Sequence, residues 1–359
     1  MAVLSTNAHA RSSSSTRRAK AIALRGLLIL LLGVVTVASL TVGASGVSLW
    51  EVVWKLVTGQ ELSLMERTIL WDIRAPRTLL GIAVGAALAV SGAVMQGLFR
   101  NPLADPGLLG VSAGAGLGAI FSIVLASALL PVALVQFIGN WMTPVAAFLG
   151  AWAVMFTLYR IATRAGRTSV ATMLLGGIGI GALSGALSGI MVYMADDLQL
   201  RELTFWGMGA LTGATWTKVT LALPVIGLAL SAMVSLGQGL NGLSMGEATA
   251  HHIGVDVQRL KRWAILTVSA AVGTAVAMSG GIGFVGIIVP HLLRLAVGPD
   301  HRTLLVNAAL LGASLLMVAD ILSRVIIAPT ELPIGIIMAI IGGPVFLWIL
   351  LRRRGLVDL

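Results

Sequence analysis

The chain has 359 residues, 57% of them hydrophobic and 11% charged, with a formal net charge of +10. This composition excludes an ordinary water-soluble domain, and the absence of cysteine excludes disulfides, thiol nucleophiles and thiolate-bound metals. The positive charge is typical of a membrane protein whose Lys and Arg collect on inner loops, so it is no reason to predict nucleic-acid binding.

About ten apolar runs have the length and composition of membrane-crossing helices. We therefore predict an all-α, polytopic membrane protein with one permease domain at 22–352. Residues 1–21 are rich in Ser and Arg and predict a disordered tail, although a basic tail before an apolar run also fits a cleavable signal peptide. Lys and Arg concentrate on alternate connections, which predicts cytoplasmic N- and C-termini, the latter at 353–359. The predicted spans are 22–44, 76–98, 111–130, 142–163, 170–194, 216–236, 263–280, 283–297, 303–324 and 334–351.

Glycines recur at four-residue intervals in several spans. The pairs Gly81/Gly85 and Gly114/Gly118 predict close helix contacts, although glycine is also simply frequent in membrane helices. A longer ladder in the fifth span favours a packing role more strongly. The spans at 111–130 and 283–297 look short or broken by glycine, as in transporters whose irregular backbone lines a cavity. The ladder consists of Gly177, Gly181, Gly185 and Gly189.

The sequence offers no energy source of its own. No lysine follows a glycine, so the chain lacks a phosphate-binding Gly-Lys-Ser/Thr loop. Asp320 and Arg324 are the main ionisable groups of the spans and lie near a helix end, whereas ion-coupled carriers usually hold carboxylates at mid-membrane. We therefore predict no enzyme activity, no catalytic residues and energy supplied by a partner, with a secondary transporter as a remote alternative.

A polar segment interrupts the apolar runs at 237–262 and reads GQGLNGLSMGEATAHHIGVDVQRLKR. We expect a compact, water-facing helical segment that a soluble partner grips. Gly246 and Glu247 form a turn and a helix start, where a carboxylate suits the positive helix end. His251 and His252 are adjacent and point about 100° apart on a helix, so they make a poor metal pair. We predict no metal site.

Four blocks of sequence, in order over about 70–350, resemble one family. The first is RAPR at 74–77 with GAALAVSGAVMQGLFRNPLADPGLLGVSAGAG at 85–116, and the second is LNGLSMGEATAHHIGV at 240–255. The third is GGIGFVGIIVPHLLRLAVGPDHR at 280–302, and the fourth runs from Asp320 to Phe346. Together they resemble FecCD-type permeases of ATP-driven importers for iron complexes, haem and cobalamin.

The resemblance implies ten spans and a homodimer with the substrate pathway at its interface. It also implies a bacterial cytoplasmic membrane, two ATP-binding cassette subunits, which use the ATP, and a periplasmic binding protein. Arg74, Arg77 and Arg324 would dock the binding protein from the outer mouth, or would instead reach lipid headgroups. The ATPase-docking residues implied by the resemblance are Gly246, Glu247, Ala248, His251, His252 and Gly254.

The resemblance assigns the pathway to the fifth span. Thr168 and Ser169 resemble the cytoplasmic gate of the family, although helix capping is an equal alternative for these residues. Met191 and Met194 lie near the outer end. His291 invites interpretation as a haem ligand, but a structural hydrogen bond is favoured for a lone histidine near a helix end.

Residues 196–209, DDLQLRELTFWGMG, predict a short interfacial helix on the outer side, either a membrane-surface anchor or a gate. Its sequence resembles the haem-importing branch of the family more than the siderophore branch, and the cobalamin branch is also close. We therefore expect a bulky iron complex as substrate, haem first. Arg201 would bind propionates, with Phe205, Trp206 and Met208 as apolar surface, unless Arg201 pairs with Asp197 one turn earlier.

Overall fold

The computed structural model describes residues 2–43 and 49–354. In this part of the chain the fold is helical, and the one extended pairing is an antiparallel hairpin of β1 (Thr163–Arg164) and β2 (Arg167–Thr168). The helices are α1 (Ala2–Thr41), α2 (Leu49–Val57), α3 (Leu64–Arg67), α4 (Ala75–Leu98), α5 (Val111–Val124), α6 (Ala126–Leu129), α7 (Val132–Ile138), α8 (Met142–Ala162), α9 (Val170–Met194), α10 (Asp197–Gly207), α11 (Trp216–Ser235), α12 (Gly237–Ser244), α13 (Glu247–His252), α14 (Val257–Ser279), α15 (Val285–Val297), α16 (His301–Val325) and α17 (Ile334–Arg354), with a π-helical turn at Thr68–Arg74 and 3-10 turns at Pro106–Leu109 and Gly139–Trp141.

All ten predicted spans are present as apolar helices. Seven of the described helices are long and apolar enough to cross a membrane, and α5, α15 and α17 are shorter apolar helices. The short spans expected at 111–130 and 283–297 are confirmed, since α5 has 14 residues and α15 has 13. The protein is therefore embedded in a membrane.

The helix directions define two ends of the bundle. We call them the α13 end and the α10 end. α14 begins next to α13 and finishes where Ser279 accepts a 2.8 Å hydrogen bond from the backbone N–H of Ala210, just after α10. α9 runs in the same direction, from the β-hairpin to α10. The two polar segments singled out in the sequence therefore lie at opposite ends of the bundle.

The core of the bundle is formed around α4 and α14. The most apolar 18-residue stretch is 89% buried in the span that contains α4 and 72% buried in α14. Small residues let the neighbouring helices approach closely. A Cβ atom on Gly85 would clash with the carbonyl of Gly312, and one on Gly118 would clash with that of Ala146. The contacts predicted for the pairs Gly81/Gly85 and Gly114/Gly118 are thus confirmed.

The first helix begins before the membrane span predicted at 22–44. The bounds of α1 reach Ala2, whereas composition predicts a disordered tail over 1–21. The side chains of residues 1–19 lie outside the described part of the chain, so the disordered tail stays a prediction, as does the C-terminal tail, of which residues 355–359 are not described.

Candidate functional site

The predicted ATPase-docking residues form an exposed ridge at one end of the bundle. Gly246 precedes α13 with a φ of 106°, and Gly254 follows it with a φ of 85°, both of which favour glycine. Between them lies one short helix whose outer side chains are exposed. We call residues 246–254 the α13 ridge, and its exposed side chains include Glu247, Ala248, His251 and His252.

The α13 ridge rests on a well-packed base. Ala250 on its inner face and Leu240 of α12 are fully buried. The amide of Asn241 donates to Asp300 at 2.6 Å, and its carbonyl oxygen accepts from the backbone N–H of His301 at 2.9 Å. α12 is therefore tied to the start of α16, and the expectation of a compact helical segment is confirmed.

A buried lysine connects the α13 ridge to the β-hairpin. Lys261, on α14, is 3% exposed. Its ammonium lies 2.8 Å from a carboxylate oxygen of Glu247 and donates to the backbone carbonyl of Thr168 at 3.0 Å. The backbone N–H of Thr168 donates to the side-chain oxygen of Gln258 at 2.9 Å. Both sides of the Thr168 backbone are thus held by α14.

The two predicted gate residues have different environments. Thr168 is 3% exposed, and its hydroxyl lies 3.0 Å from that of Thr163 in the same hairpin. The hairpin turns this hydroxyl inward in this conformation, and a role of Thr168 in the cytoplasmic gate stays a prediction. Ser169 is exposed and caps α9, since its hydroxyl oxygen accepts from the backbone N–H of Thr172 at 3.3 Å. Capping therefore applies to Ser169.

One face of α9 has no packing partner within the described chain. Only 17% of its most apolar window is buried. Cβ atoms added to Gly181, Gly185 or Gly189 would meet open space. Near the α10 end of the bundle, Met191 and Met194 line an apolar recess of about 670 Å³ between α9, α5 and α8. These three glycines of the ladder thus serve no close packing within the described part of their own subunit, whereas Gly177 is buried.

A second recess of about 670 Å³ lies beside α10. Arg201, Phe205 and Trp206 line it, and the Arg201 guanidinium carbon lies 5.8 Å from the centre of the Phe205 ring. Lys218, at the start of α11, lines the same recess and was not predicted. Within the described residues no ion pair joins Arg201 to Asp197.

Two further expectations at α10 have different outcomes. Its predicted start is confirmed, because Asp196 and Gln199 form a reciprocal capping box. Met208 is not among the residues that line the recess. Its backbone carbonyl instead accepts from the N–H of Gly335 at 3.0 Å, which ties the end of α10 to the start of α17.

The three arginines expected to be exposed at the outer mouth are buried. Arg74, Arg77 and Arg324 are 4%, 5% and 6% exposed. Arg77 and Arg324 both bind Asp320, through ion pairs of 2.8 and 2.6 Å, and Arg77 also pairs with Glu331 at 2.9 Å.

Neighbouring backbone carbonyls complete the coordination of these arginines. Arg74 donates to the carbonyl of Leu40 at 2.6 Å, and Arg324 donates to that of Ser39 at 3.0 Å. The exposure prediction is therefore wrong. Carbonyls at the end of α1 accept hydrogen bonds from these guanidinium groups, and Asp320 supplies an opposite charge, whereas hydropathy alone assigns the arginines to the surface.

No metal centre is found in the described residues, where no group of three or more His, Asp or Glu could hold an ion. His251 and His252 lie exposed on the α13 ridge, and His291 is half-buried within α15.

Residues 29–352 match the FecCD transport family. The chain belongs to this family. The hemin transport system permease protein of Yersinia pestis is 42% identical over 330 residues, covering 92% of this chain and 95% of the relative. The cobalamin import system permease protein of Halobacterium salinarum is 45% identical over 288 residues, covering 80% of this chain and 74% of the relative.

A solved structure supports the same conclusion for the fold of this FecCD permease. An inward-facing metal-chelate type ABC transporter superposes with a TM-score of 0.77 at 30% identity, covering 90% of this chain and 96% of that one. The chain is therefore an ABC importer permease. In the sequence of this FecCD permease, the α13 ridge and α10 are recognisable as polar segments between apolar runs. The role of Lys261 is not recognisable, because LKR resembles an ordinary basic loop.

Proposed function

We propose that this permease moves a bulky iron complex, haem first, from periplasm to cytoplasm across the bacterial inner membrane by alternating access. Two ATP-binding cassette subunits drive it from the α13 end, and a periplasmic binding protein delivers substrate at the α10 end. The observation that carries the proposal is the α13 ridge, an exposed polar helix on a buried base in an otherwise apolar protein. Such a surface suits a soluble partner.

The neighbourhood of the α13 ridge supports docking. Met245, just before the ridge, and Ile253, near its end, are 57% and 56% exposed. They line a groove of about 1100 Å³ that also includes Arg25, Asp300 and Arg302. An apolar pair with charged groups around it matches the usual anatomy of a protein interface. Both chain termini lie on this side if the helices cross ten times, which agrees with the Lys and Arg pattern for cytoplasmic termini.

Docking is tested by reversing a charge on the ridge. Glu247→Arg should uncouple transport and weaken ATPase co-purification while the permease stays folded. Asp256→Arg is less suitable as a control, because Asp256 caps α14. Arg262→Glu, an exposed charge reversal nearby on α14, is the matched control. Normal co-purification and normal uptake in the Glu247 variant would contradict docking on the ridge.

The exposed face of α9 supports a homodimer with the pathway between subunits. Glycines without a packing partner in a membrane helix allow a second backbone to approach closely. Ser169 lies at the inner end of this face and Met194 at the outer end. A weakly binding, largely uncharged pathway suits a transporter, which has to release its cargo.

The recess beside α10 supports haem as the substrate. Haem is a flat apolar ring with two carboxylates, and the recess combines Arg201 and Lys218 with the rings of Phe205 and Trp206. An arginine can bond both oxygens of a carboxylate. The similarity to the hemin permease, which extends over most of both chains, also supports haem as the substrate.

Cobalamin is the second candidate, because the cobalamin permease relative has a similar identity, and a ferric siderophore is the third. The reconstituted complex separates the three. Binding protein loaded with haem should stimulate ATP hydrolysis more than binding protein loaded with cobalamin or a ferric siderophore. Stimulation by cobalamin alone would reverse the assignment.

The proposal that Arg74, Arg77 and Arg324 dock an acidic binding protein needs a different test, given their burial. A triple alanine variant removes the Asp320 cluster and so perturbs the fold as well as any docking. The salt dependence of binding-protein association separates the two effects, because exposed charge pairs weaken with ionic strength. Association that is independent of salt would argue against electrostatic docking at this end.

A further inference from the structure

We infer that Lys261 is a positioning residue that transmits movement of the α13 ridge to the start of α9. The inference rests on the proposed ATPase docking at the ridge. Its basis is one continuous set of contacts from an exposed carboxylate, through a buried ammonium, to a backbone carbonyl at the entrance of the pathway helix.

A buried lysine requires partners, because an ammonium without them is costly to remove from water. Lys261 is 3% exposed and has two partners, Glu247 at 2.8 Å and the carbonyl of Thr168 at 3.0 Å. These partners lie far apart along the chain and belong to different structural elements. Lys261 therefore links the ridge, α14 and the hairpin.

The ridge end of this link is accessible. The Glu247 side chain is 44% exposed, so a cationic group of a docked partner can reach its carboxylate. Such a group would compete with Lys261 for the same oxygens. Docking, or a shift of the docked partner during ATP hydrolysis, would thus change the strength of the Glu247–Lys261 pair.

The gate end of the link acts on the start of α9. Thr168 immediately precedes Ser169, the residue that caps α9. Gln258 accepts from the Thr168 backbone N–H at 2.9 Å, and it lies one turn before Lys261 on the same face of α14. A displacement of this turn of α14 must therefore carry the first residues of α9 with it.

α9 is suited to respond, because so little of it is packed within its own subunit. Only 17% of its most apolar window is buried, against 72% for α14. A helix with few packing contacts shifts at lower cost than a core helix. In the proposed dimer, α9 faces the pathway, so a shift at its start changes the inner opening.

The test uses the permease reconstituted in liposomes with its ATPase and binding protein. Lys261→Met removes the charge and keeps a flexible apolar stem. We expect the ATPase to remain bound, while substrate transported per ATP hydrolysed falls about tenfold. Lys261→Arg, which retains a cation, should recover most of this ratio, and the exposed neighbour variant Arg262→Met should match the wild type.

Gate movement is measured directly. The chain has no cysteine, so Ala171→Cys on the first turn of α9 gives one spin label per subunit. The distance between labels in the dimer should change with ATP in the wild type and stay constant in Lys261→Met. Glu247→Gln should behave like Lys261→Met, and the double variant should be no worse than either single variant, because both residues act along one path.

The outcomes separate the link from the proposed function. Failure of the wild type to bind the ATPase, or to show a label distance, overturns docking or dimerisation and the link with them. If the wild type behaves as expected, a Lys261→Met complex with normal transport per ATP and a normal distance change overturns the link alone. A lower melting temperature with an unchanged transport ratio assigns Lys261 a structural role only, and also overturns it.

Discussion

The buried Asp320 cluster gives the sharpest stability prediction. Asp320 is 0% exposed and binds two arginines, Arg77 at 2.8 Å and Arg324 at 2.6 Å. Asp320→Asn keeps the shape of the side chain but removes the charge, and so leaves two buried guanidinium groups without their shared carboxylate.

The cost can be estimated from the contacts that remain. Removing one partner of a buried ion pair typically destabilises by about 3–5 kcal/mol. Arg77 keeps Glu331, and Arg324 keeps the Ser39 carbonyl, so we expect the lower end, about 3 kcal/mol, or roughly a hundredfold in the unfolding equilibrium.

Denaturant unfolding in detergent, followed by tryptophan fluorescence, measures this free energy. Asp197→Asn is the matched control, because Asp197 is exposed on α10 and has no ion pair in the described chain; its variant should stay within about 0.5 kcal/mol of the wild type. Adding Arg324→Gln to Asp320→Asn should recover part of the loss, since it removes one uncompensated cation. A loss below about 1 kcal/mol for Asp320→Asn would refute the view that the cluster stabilises the fold.

Three further predictions concern packing, substrate and gate. Gly92→Val should prevent stable folding in a yield and thermal-melt assay, because a Cβ there clashes with the neighbouring backbone, whereas Gly181→Val, which meets open space, should fold; equal yields would contradict the packing. Arg201→Glu should cut haem-stimulated transport sharply while Asp197→Ala has little effect, and a similar outcome for both would make the charge structural. Ser169→Cys should crosslink across the dimer in at least one nucleotide state, and no crosslink in any state would remove it from the gate.

Hydropathy and glycine spacing were sufficient to predict the ten apolar helices, including the two expected to be short. These features are local, since each helix forms its own backbone hydrogen bonds and needs only an apolar length. The charged start of the segment 196–209 predicted the beginning of α10 for the same reason. The outline of the bundle therefore follows from short segments of sequence.

Side-chain partners distant in sequence could not be predicted in the same way. Arg77 and Asp320 are 243 residues apart, and Lys261 and Thr168 are 93 apart. Composition assigned both arginine and lysine to the water interface, because charged residues at helix ends are usually exposed. Only the folded structure shows that Arg77 and Lys261 are buried and that Asp320 and the Thr168 carbonyl are their partners.

The unpartnered face of α9 was visible in the sequence only as a glycine ladder. The four-residue spacing predicts a close helix contact but does not identify the helix on the other side. The structure shows where such a contact has room, because a Cβ atom on Gly181, Gly185 or Gly189 would meet nothing in the described part of its own subunit. A second copy of the chain is the occupant we propose.

ATP-dependent accumulation of haem inside proteoliposomes tests the central claim most directly. The vesicles contain the permease and its ATPase, with ATP on the ATPase side and haem-loaded binding protein on the other. We predict that haem accumulates with ATP and not with a non-hydrolysable analogue, and that Glu247→Arg abolishes the accumulation. Uptake driven by an ion gradient without ATP, or ATP-driven uptake of cobalamin but not haem, would contradict the account.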